Sequence, residues 1–331
     1  MTLIIRSHRL KRFGSCCIFS AVLLFSVLAG FSQSPPAPRG TSVVSAISVK
    51  TDLVVLPVSV TDTNGNVVLG LSQQNFRVYE DGRLQKVSLF QQGDTPVTVG
   101  LVVDHSRSMG PKLSEVAAAV SAFAQSSNPQ DEMFVVDFND DVWVELMDGK
   151  PFTNDPKVLA KAVSSVHARG RTALYDAVAE GLLHLQLAHW DKKALIIVSD
   201  GGDNASQQKF AQVLALAQQS QVLIYSIGLI GETEEVDPDV LRRLSKATGG
   251  IAYFPEGTNT VTSVSAQIAR DLREQYTLGF APEKANRARA FRKIEVRVDA
   301  PGHGKIRVRT RSGYFAAEEK SPAAQAAEGA K

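Results

Sequence analysis

From position 97 onward, short and almost wholly apolar runs alternate with longer segments whose apolar residues recur at helical spacing. The runs are Val97 to Val103, Met133 to Phe138, Ala194 to Val198 and the stretch 222–230. A strand that is apolar on both alternating faces is buried on both sides, as in a parallel sheet covered by helices. Leu113, Val116, Val120, Phe123 and Ala124 mark the first helix. Others are expected at 156–166, 173–188, 206–220, 238–248 and 260–275, with a further strand at 251–254. A short strand at 142–146 follows the turn Asn139-Asp140-Asp141 and is the one antiparallel candidate. Strands and helices in this alternation imply right-handed crossovers. The expected fold is α/β: a three-layer, doubly wound, mostly parallel sheet over residues 95–275, flanked by small β units.

The flanks read differently. Val54, Leu56, Val58 and Val60 alternate with their neighbours as a sheet segment does. Strands are also expected at Val67-Val68-Leu69, at Phe76 to Glu80 and at Val87 to Phe90, which makes 51–94 a small β unit. Residues 276–315 return to β character at Tyr276 to Phe280, Lys293 to Val298 and Lys305 to Thr310. There Arg292, Arg297, Arg307 and Arg309 alternate with Ile294, Val296, Ile306 and Val308. That pattern predicts a sheet with one solvated basic face. Both β units leave the central domain at its ends and are positioned to pack together.

Residues 1–32 have the plan of an export signal. Arg6, Arg9, Lys11 and Arg12 precede an apolar run from Cys16 to Phe31, with cleavage expected after Ser32. That run is shorter than the roughly 20 residues a membrane-spanning helix needs. An uncleaved N-terminal anchor is the alternative, and either places the remainder outside the cytoplasm, in the periplasm, the cell envelope or the medium. A Pro/Ser linker follows at 33–50, and the tail 316–331 is expected to be disordered. The chain carries 36 basic and 34 acidic residues. Without the four basic residues of the signal the balance is 32 to 34, so no charge excess points to nucleic acid. Both cysteines, Cys16 and Cys17, lie in the signal, which excludes disulfides, thiolate metal sites and thiol nucleophiles downstream.

The chemistry is concentrated at strand ends. The first apolar strand runs into Asp104-His105-Ser106-Arg107-Ser108, three oxygen-bearing side chains at alternate positions. The strand at 194–198 runs into Ser199-Asp200-Gly201-Gly202. In a doubly wound sheet, strands flanking the topological switch point aim their C-terminal loops into one crevice. If these two strands are that pair, Asp104 and Asp200 converge. Gly170-Arg171-Thr172, at the start of the helix bearing Leu174 and Ala177, offers a third hydroxyl. Carboxylate and hydroxyl oxygens suit a hard divalent cation, Mg²⁺ first, with Mn²⁺ or Ca²⁺ as alternatives. The six histidines are scattered, which argues against zinc.

Asp104-His105-Ser106-Arg107-Ser108-Met109, Gly170 to Ala177 and Ser199-Asp200-Gly201 resemble the von Willebrand factor type A domain and its metal-ion-dependent adhesion site. Phe138 to Val142 and Ala247-Thr248-Gly249-Gly250 resemble it too, and the flanks are similar to β segments around such domains in exported acidobacterial proteins. The resemblance implies that Ser106 and Ser108 bind the metal directly and that Asp104 and Asp200 bind directly or through water. It implies that Thr172 enters or leaves the first shell as the site switches state. Arg171 departs from the family, where a second glycine is frequent. The rim expected to meet a partner comprises His105, Arg107, Arg171 and Gly201.

Two carboxylates among five ligands leave the cation electrophilic, with a coordination position for a Glu or Asp of a partner protein. The expected function is metal-dependent binding or adhesion, not catalysis. One rival is a phosphotransfer or hydrolytic enzyme using Asp104, although neither a converging general base nor a phosphate loop is visible. The other is a structural envelope protein whose metal stabilises only its own fold.

Overall fold

In the computed structural model the described residues are 53–144, 149–230, 237–256, 258–282 and 290–316. The signal and linker readings at 1–50 lie outside them, as do the tail beyond 316 and most of the polar loop after Phe280. Among the described residues no helix is long and apolar enough to cross a membrane.

The central sheet contains β5 (Thr98–Asp104), β6 (Glu132–Phe138), β7 (Val142–Val144), β8 (Lys193–Ser199), β9 (Val222–Gly228) and β10 (Ala252–Tyr253). Its order is β10-β9-β8-β5-β6-β7, with only β7 antiparallel to its neighbour. The helices are α1 (Leu113–Ser126), α2 (Pro156–Ser165), α3 (Leu174–His184), α4 (Phe210–Gln219), α5 (Pro238–Thr248) and α6 (Thr258–Arg273). Local chemistry sets their ends. Asp155 and Asp237 cap α2 and α5 through their carboxylates, each followed by a proline, and Gly249 closes α5 at φ 90°.

The apolar runs are buried on both faces, as a doubly wound sheet requires. Val99, Leu101 and Val103 pack with α1, α2 and α6, whereas Val102, Leu195 and Ile197 pack with α3, α4 and α5. Gly100 lies mid-strand in β5, where a Cβ would stand 2.5 Å from both Leu195 Cδ2 and Phe134 Cζ. Gly100→Ala should therefore cost about 1–3 kcal/mol through overpacking. Urea unfolding monitors this; an unchanged midpoint would show that Phe134 and Leu195 move aside freely.

The two flanking β segments interleave. β1 (Val54–Asp62), β2 (Phe76–Glu80), β3 (Arg83–Gln85) and β4 (Val87–Gln92) precede the central domain. β11 (Tyr276–Phe280), β12 (Phe291–Val298), β13 (Ile306–Arg309) and β14 (Gly313–Phe315) follow it. They form two sheets, β13-β1-β11-β4 and β14-β12-β2-β3, around one core of Leu56, Val58, Phe76, Val78, Tyr276, Leu278 and Ile294. Four strands alone would bury little, and eight in two layers share a core. Gln92 and Tyr276 are paired across β4 and β11, so the chain leaves and re-enters this sandwich at adjacent points.

The flanking segments correct the sequence reading. Val67-Val68-Leu69 is not a strand, since only Val67 bridges to Thr61, while the three-residue β3 and β14 were not expected. The strand expected at 142–146 is present at Val142–Val144, and its last two positions lie outside the described residues. Arg309 is not on a solvated face. Its guanidinium is paired with Asp271 of α6, and it also donates to Gly249 O and, at 2.9 Å, to Ser59 Oγ. Tyr225 OH donates to the same Asp271, and Ser59 Oγ donates to its other oxygen at 3.0 Å. At Ser59 and Arg309 the polar face of β1 and β13 meets α5 and α6, so this arginine is an internal partner, whereas Arg307 on the same strand is exposed.

Candidate metal centre

Asp104 ends β5 and Ser199 ends β8, and these strands are neighbours in the middle of the sheet. β6 and β8 leave β5 on opposite sides, which makes the C-terminal end of β5 the switch point where a crevice forms. Asp104 is fully buried there. Its Oδ1 accepts the Ser106 N–H at 2.8 Å and its Oδ2 accepts the Ser199 hydroxyl at 2.7 Å. Ser106 Oγ lies 3.2 Å from Ser108 Oγ, and Ser108 Oγ donates to Asp200 Oδ2 at 2.8 Å. Asp200 Oδ1 accepts the Gly202 N–H at 3.2 Å. Residues 92 positions apart in sequence thus share one hydrogen-bonded chain of oxygens.

The third loop is joined by main-chain bonds. Arg107 N–H donates to Gly170 O at 3.4 Å and Arg169 N–H to His105 O at 2.9 Å. Thr172 is 7% exposed, donates its N–H to Asn204 Oδ1 at 2.9 Å, and accepts the N–H groups of Asn204 and Ala205 at its carbonyl. Loops 104–108, 169–173 and 199–205 are therefore stitched into one surface.

The donor chemistry fits a small hard cation. Cis ligands of an octahedral ion with metal–oxygen bonds of about 2.1 Å stand roughly 3 Å apart. The Ser106–Ser108 and Ser108–Asp200 separations of 3.2 and 2.8 Å are of that size. Burial pushes the Asp104 carboxyl up to about 6, opposed by hydrogen bonds from Ser106 and Ser199, and the nearby Asp200 charge adds to the rise. A centre with two neighbouring carboxylates is the kind of environment a divalent cation relieves. Among the described residues no group of three or more His, Cys, Asp and Glu could hold a metal, so a cation here depends on the hydroxyls.

Two of the four expected rim residues are elsewhere. His105 is 0% exposed, with Nδ1 3.2 Å from Asp137 Oδ1 and Nε2 2.9 Å from Val163 O. Its main chain extends the strand, donating to Phe138 O at 2.7 Å, so the side chain follows Leu101 and Val103 into the helix layer. Gly201 is also buried, at φ 90°, where a Cβ would lie 2.4 Å from Asp237 O. It is a backbone requirement, not a contact surface, and Gly201→Ala should displace the Asp200 loop. Arg107 and Arg171 are exposed. Arg171 Nε donates to Asp140 Oδ1 at 2.8 Å, and that carboxylate fills the space above Gly170.

Sequence reasoning missed the residues that hold the donors in place. Ser199 fixes Asp104, and Asn204 fixes Thr172. Asp203 accepts the Tyr175 N–H at 2.9 Å and caps α3, with Ser206 bonded to both Asp203 and the Asp176 N–H. Asp176 in return accepts the N–H groups of Gln207 and Gln208. The available signal was the cluster Asp203, Asn204 and Ser206, whose partners at the start of α3 lie 28–32 positions away.

The family model of the von Willebrand factor type A domain matches residues 98–267. An inter-alpha-trypsin inhibitor heavy chain of Mus musculus is 27% identical over 198 residues, covering 55% of this chain and 21% of that protein. The chain thus spans about a fifth of the length of that curated relative. A solved von Willebrand factor type A structure from Catenulispora acidiphila is 13% identical, with a TM-score of 0.49 over 82% of this chain and 76% of that one. The von Willebrand factor domain of a type V pili tip protein from Porphyromonas gingivalis is 12% identical, with a TM-score of 0.46 over 54% of this chain and 97% of that one.

Proposed function

The chain belongs to the von Willebrand factor type A domain family, and from that premise we propose that it is a binding protein that grips its partner through a divalent cation. Asp104, Ser106, Ser108, Thr172 and Asp200 would hold the ion, Mg²⁺ first. The ion supplies an electrophilic coordination position for a Glu or Asp carboxylate of a partner protein. The observation that carries the reading is the chain Ser106–Ser108–Asp200, with spacings that suit one octahedral ion. The protein's own residues do the rest. Ser199 and the Ser106 N–H orient Asp104, the Gly202 N–H orients Asp200, and Asn204 fixes the Thr172 loop.

A binding role is favoured over a serine or carboxylate enzyme by the placement of His105. The one imidazole in the Asp104 loop is turned into the helix layer, against Asp137 and Val163 O, and does not face Ser106 or Ser108. A serine–histidine nucleophile needs the imidazole within hydrogen-bond reach of the hydroxyl, and here the hydroxyl of Ser108 is bonded to Asp200 instead. The export signal expected at 1–32 supports a site of action outside the cytoplasm.

Affinity capture from envelope extracts tests the proposal. A protein retained by the wild type in Mg²⁺, and released by chelator or lost with Asp104→Ala/Ser106→Ala, is the expected result. If chelation melts the domain yet leaves captured proteins unchanged in mild conditions, the metal serves the fold alone.

A further inference from the structure

We propose that the rim of this centre selects an acidic segment, with two or more neighbouring carboxylates, over a single isolated Glu or Asp. The proposal rests on the reading of the centre given above and adds the character of the partner. Three arginines lie on two touching loops that carry candidate donors. Arg107 stands between Ser106 and Ser108, and Arg169 and Arg171 precede Thr172. The Arg107 N–H donates to Gly170 O and the Arg169 N–H to His105 O, so the two loops run side by side. All three arginines are exposed.

Their partners differ. The Arg171 guanidinium is anchored, with Nε on Asp140 Oδ1 at 2.8 Å and Nη1 3.4 Å from Asn204 O. Its position is fixed at the cost of a partly neutralised charge. Among the described residues no acid pairs with Arg107 or Arg169. The acids nearest the donors are already engaged: Asp200 by Ser108 and Gly202, and Asp203 by Tyr175 and Ser206. Asp140 and Asp141 lie in the turn after β6, with Asp140 held by Arg171. Two guanidinium groups without an acidic partner among the described residues, Arg107 and Arg169, thus sit on the loops that carry the candidate donors and add to the charge of the cation itself.

Planar guanidinium groups match carboxylates in fork geometry. A partner segment whose carboxylate met the ion would pass over the loops that carry Arg107 and Arg169. A lone acidic residue uses only the ion, whereas an acidic run uses the ion and the arginines. Exposed charges of this type act mainly on association rate and salt dependence.

The test uses the chain with its natural β sandwich and two fluorescein-labelled hexapeptides in Mg²⁺, hexaglutamate and a glycine peptide with one glutamate. Fluorescence anisotropy should show tighter binding of hexaglutamate. Arg107→Gln/Arg169→Gln should weaken hexaglutamate about five- to tenfold at low salt and the single-glutamate peptide by less than about twofold. Raising the salt from about 50 to 300 mM should erase most of that difference. Chelator should release both peptides. Chelator-sensitive binding with equal affinities, or no effect of the double arginine variant, overturns the rim proposal and leaves the metal grip standing. Hexaglutamate that binds equally with chelator, and is lost with the arginine variant, overturns the metal grip instead. Absence of hexaglutamate binding, or stronger arginine-dependent binding of a sulfated polysaccharide, overturns the acidic-peptide assignment.

Discussion

Ser106→Ala/Ser108→Ala is expected to reduce Mg²⁺-dependent partner binding at least about 100-fold, the upper end of losses seen when groups supporting a metal are removed. Both hydroxyls belong to the oxygen chain that ends on Asp200, and no other described side chain in the Asp104 loop offers a substitute donor. The fold should persist. The Ser106 N–H still donates to Asp104, Ser199 still donates to its other oxygen, and Met109 N–H still closes the turn on Ser106 O. Each lost hydroxyl bond costs about 1 kcal/mol. Thermal melting should therefore shift by a few degrees only, at about 2–4 °C per kcal/mol for a domain of this size. Surface plasmon resonance against a captured partner, with circular dichroism as the fold control, measures both. Binding within threefold of wild type would remove the serines from the centre.

Arg309→Ala should be the most destabilising single change outside the apolar cores. It leaves Asp271 buried with the hydroxyls of Tyr225 and Ser59 and without its cation. Breaking a buried pair by removing one partner costs about 3–5 kcal/mol. The lower end applies because the Arg309 side chain is 24% exposed and Asp271 12%. That corresponds to a fall in Tm of roughly 6–12 °C. Arg309→Met combined with Asp271→Leu should recover much of the loss, since an apolar pair leaves no stranded charge. Differential scanning calorimetry decides, and a single variant melting with the wild type would show that water replaces the guanidinium. The same residues tie the β sandwich to α5 and α6, so the variant should also increase proteolysis near Gly249 and Asp271.

The central sheet was legible because its strands are buried on both faces and stand out as apolar runs. Val97 to Val103 and Ala194 to Val198 predicted two strands buried on both faces, and their adjacency, which the sequence left as a condition, is met by the pairing of β5 with β8. Elements of three residues, β3 and β14, carry too few positions for a period to show. Arg309 was misread because alternation reports that one face is polar, not what covers it. A second domain covers that face, and the arginine finds Asp271 there. His105 was misplaced for a different reason. Counting by twos from Leu101 and Val103 puts it in the helix layer, and reading it as loop overlooked that the strand continues through it. The donors themselves were readable as residue types at strand ends. Ser199 and Asn204 were not, because what they do depends on cross-loop contacts spanning 95 and 32 positions.

The claim on which the rest depends is that oxygens from three loops close around one ion, and calorimetric titration of Mg²⁺ into the chain tests it most directly. The account predicts a single site of modest affinity, with Kd on the order of 0.1–1 mM for a centre with two carboxylates. It should tighten when an acidic peptide is present and vanish in Ser106→Ala/Ser108→Ala. No saturable heat in the wild type, or the same isotherm in the variant, would contradict it.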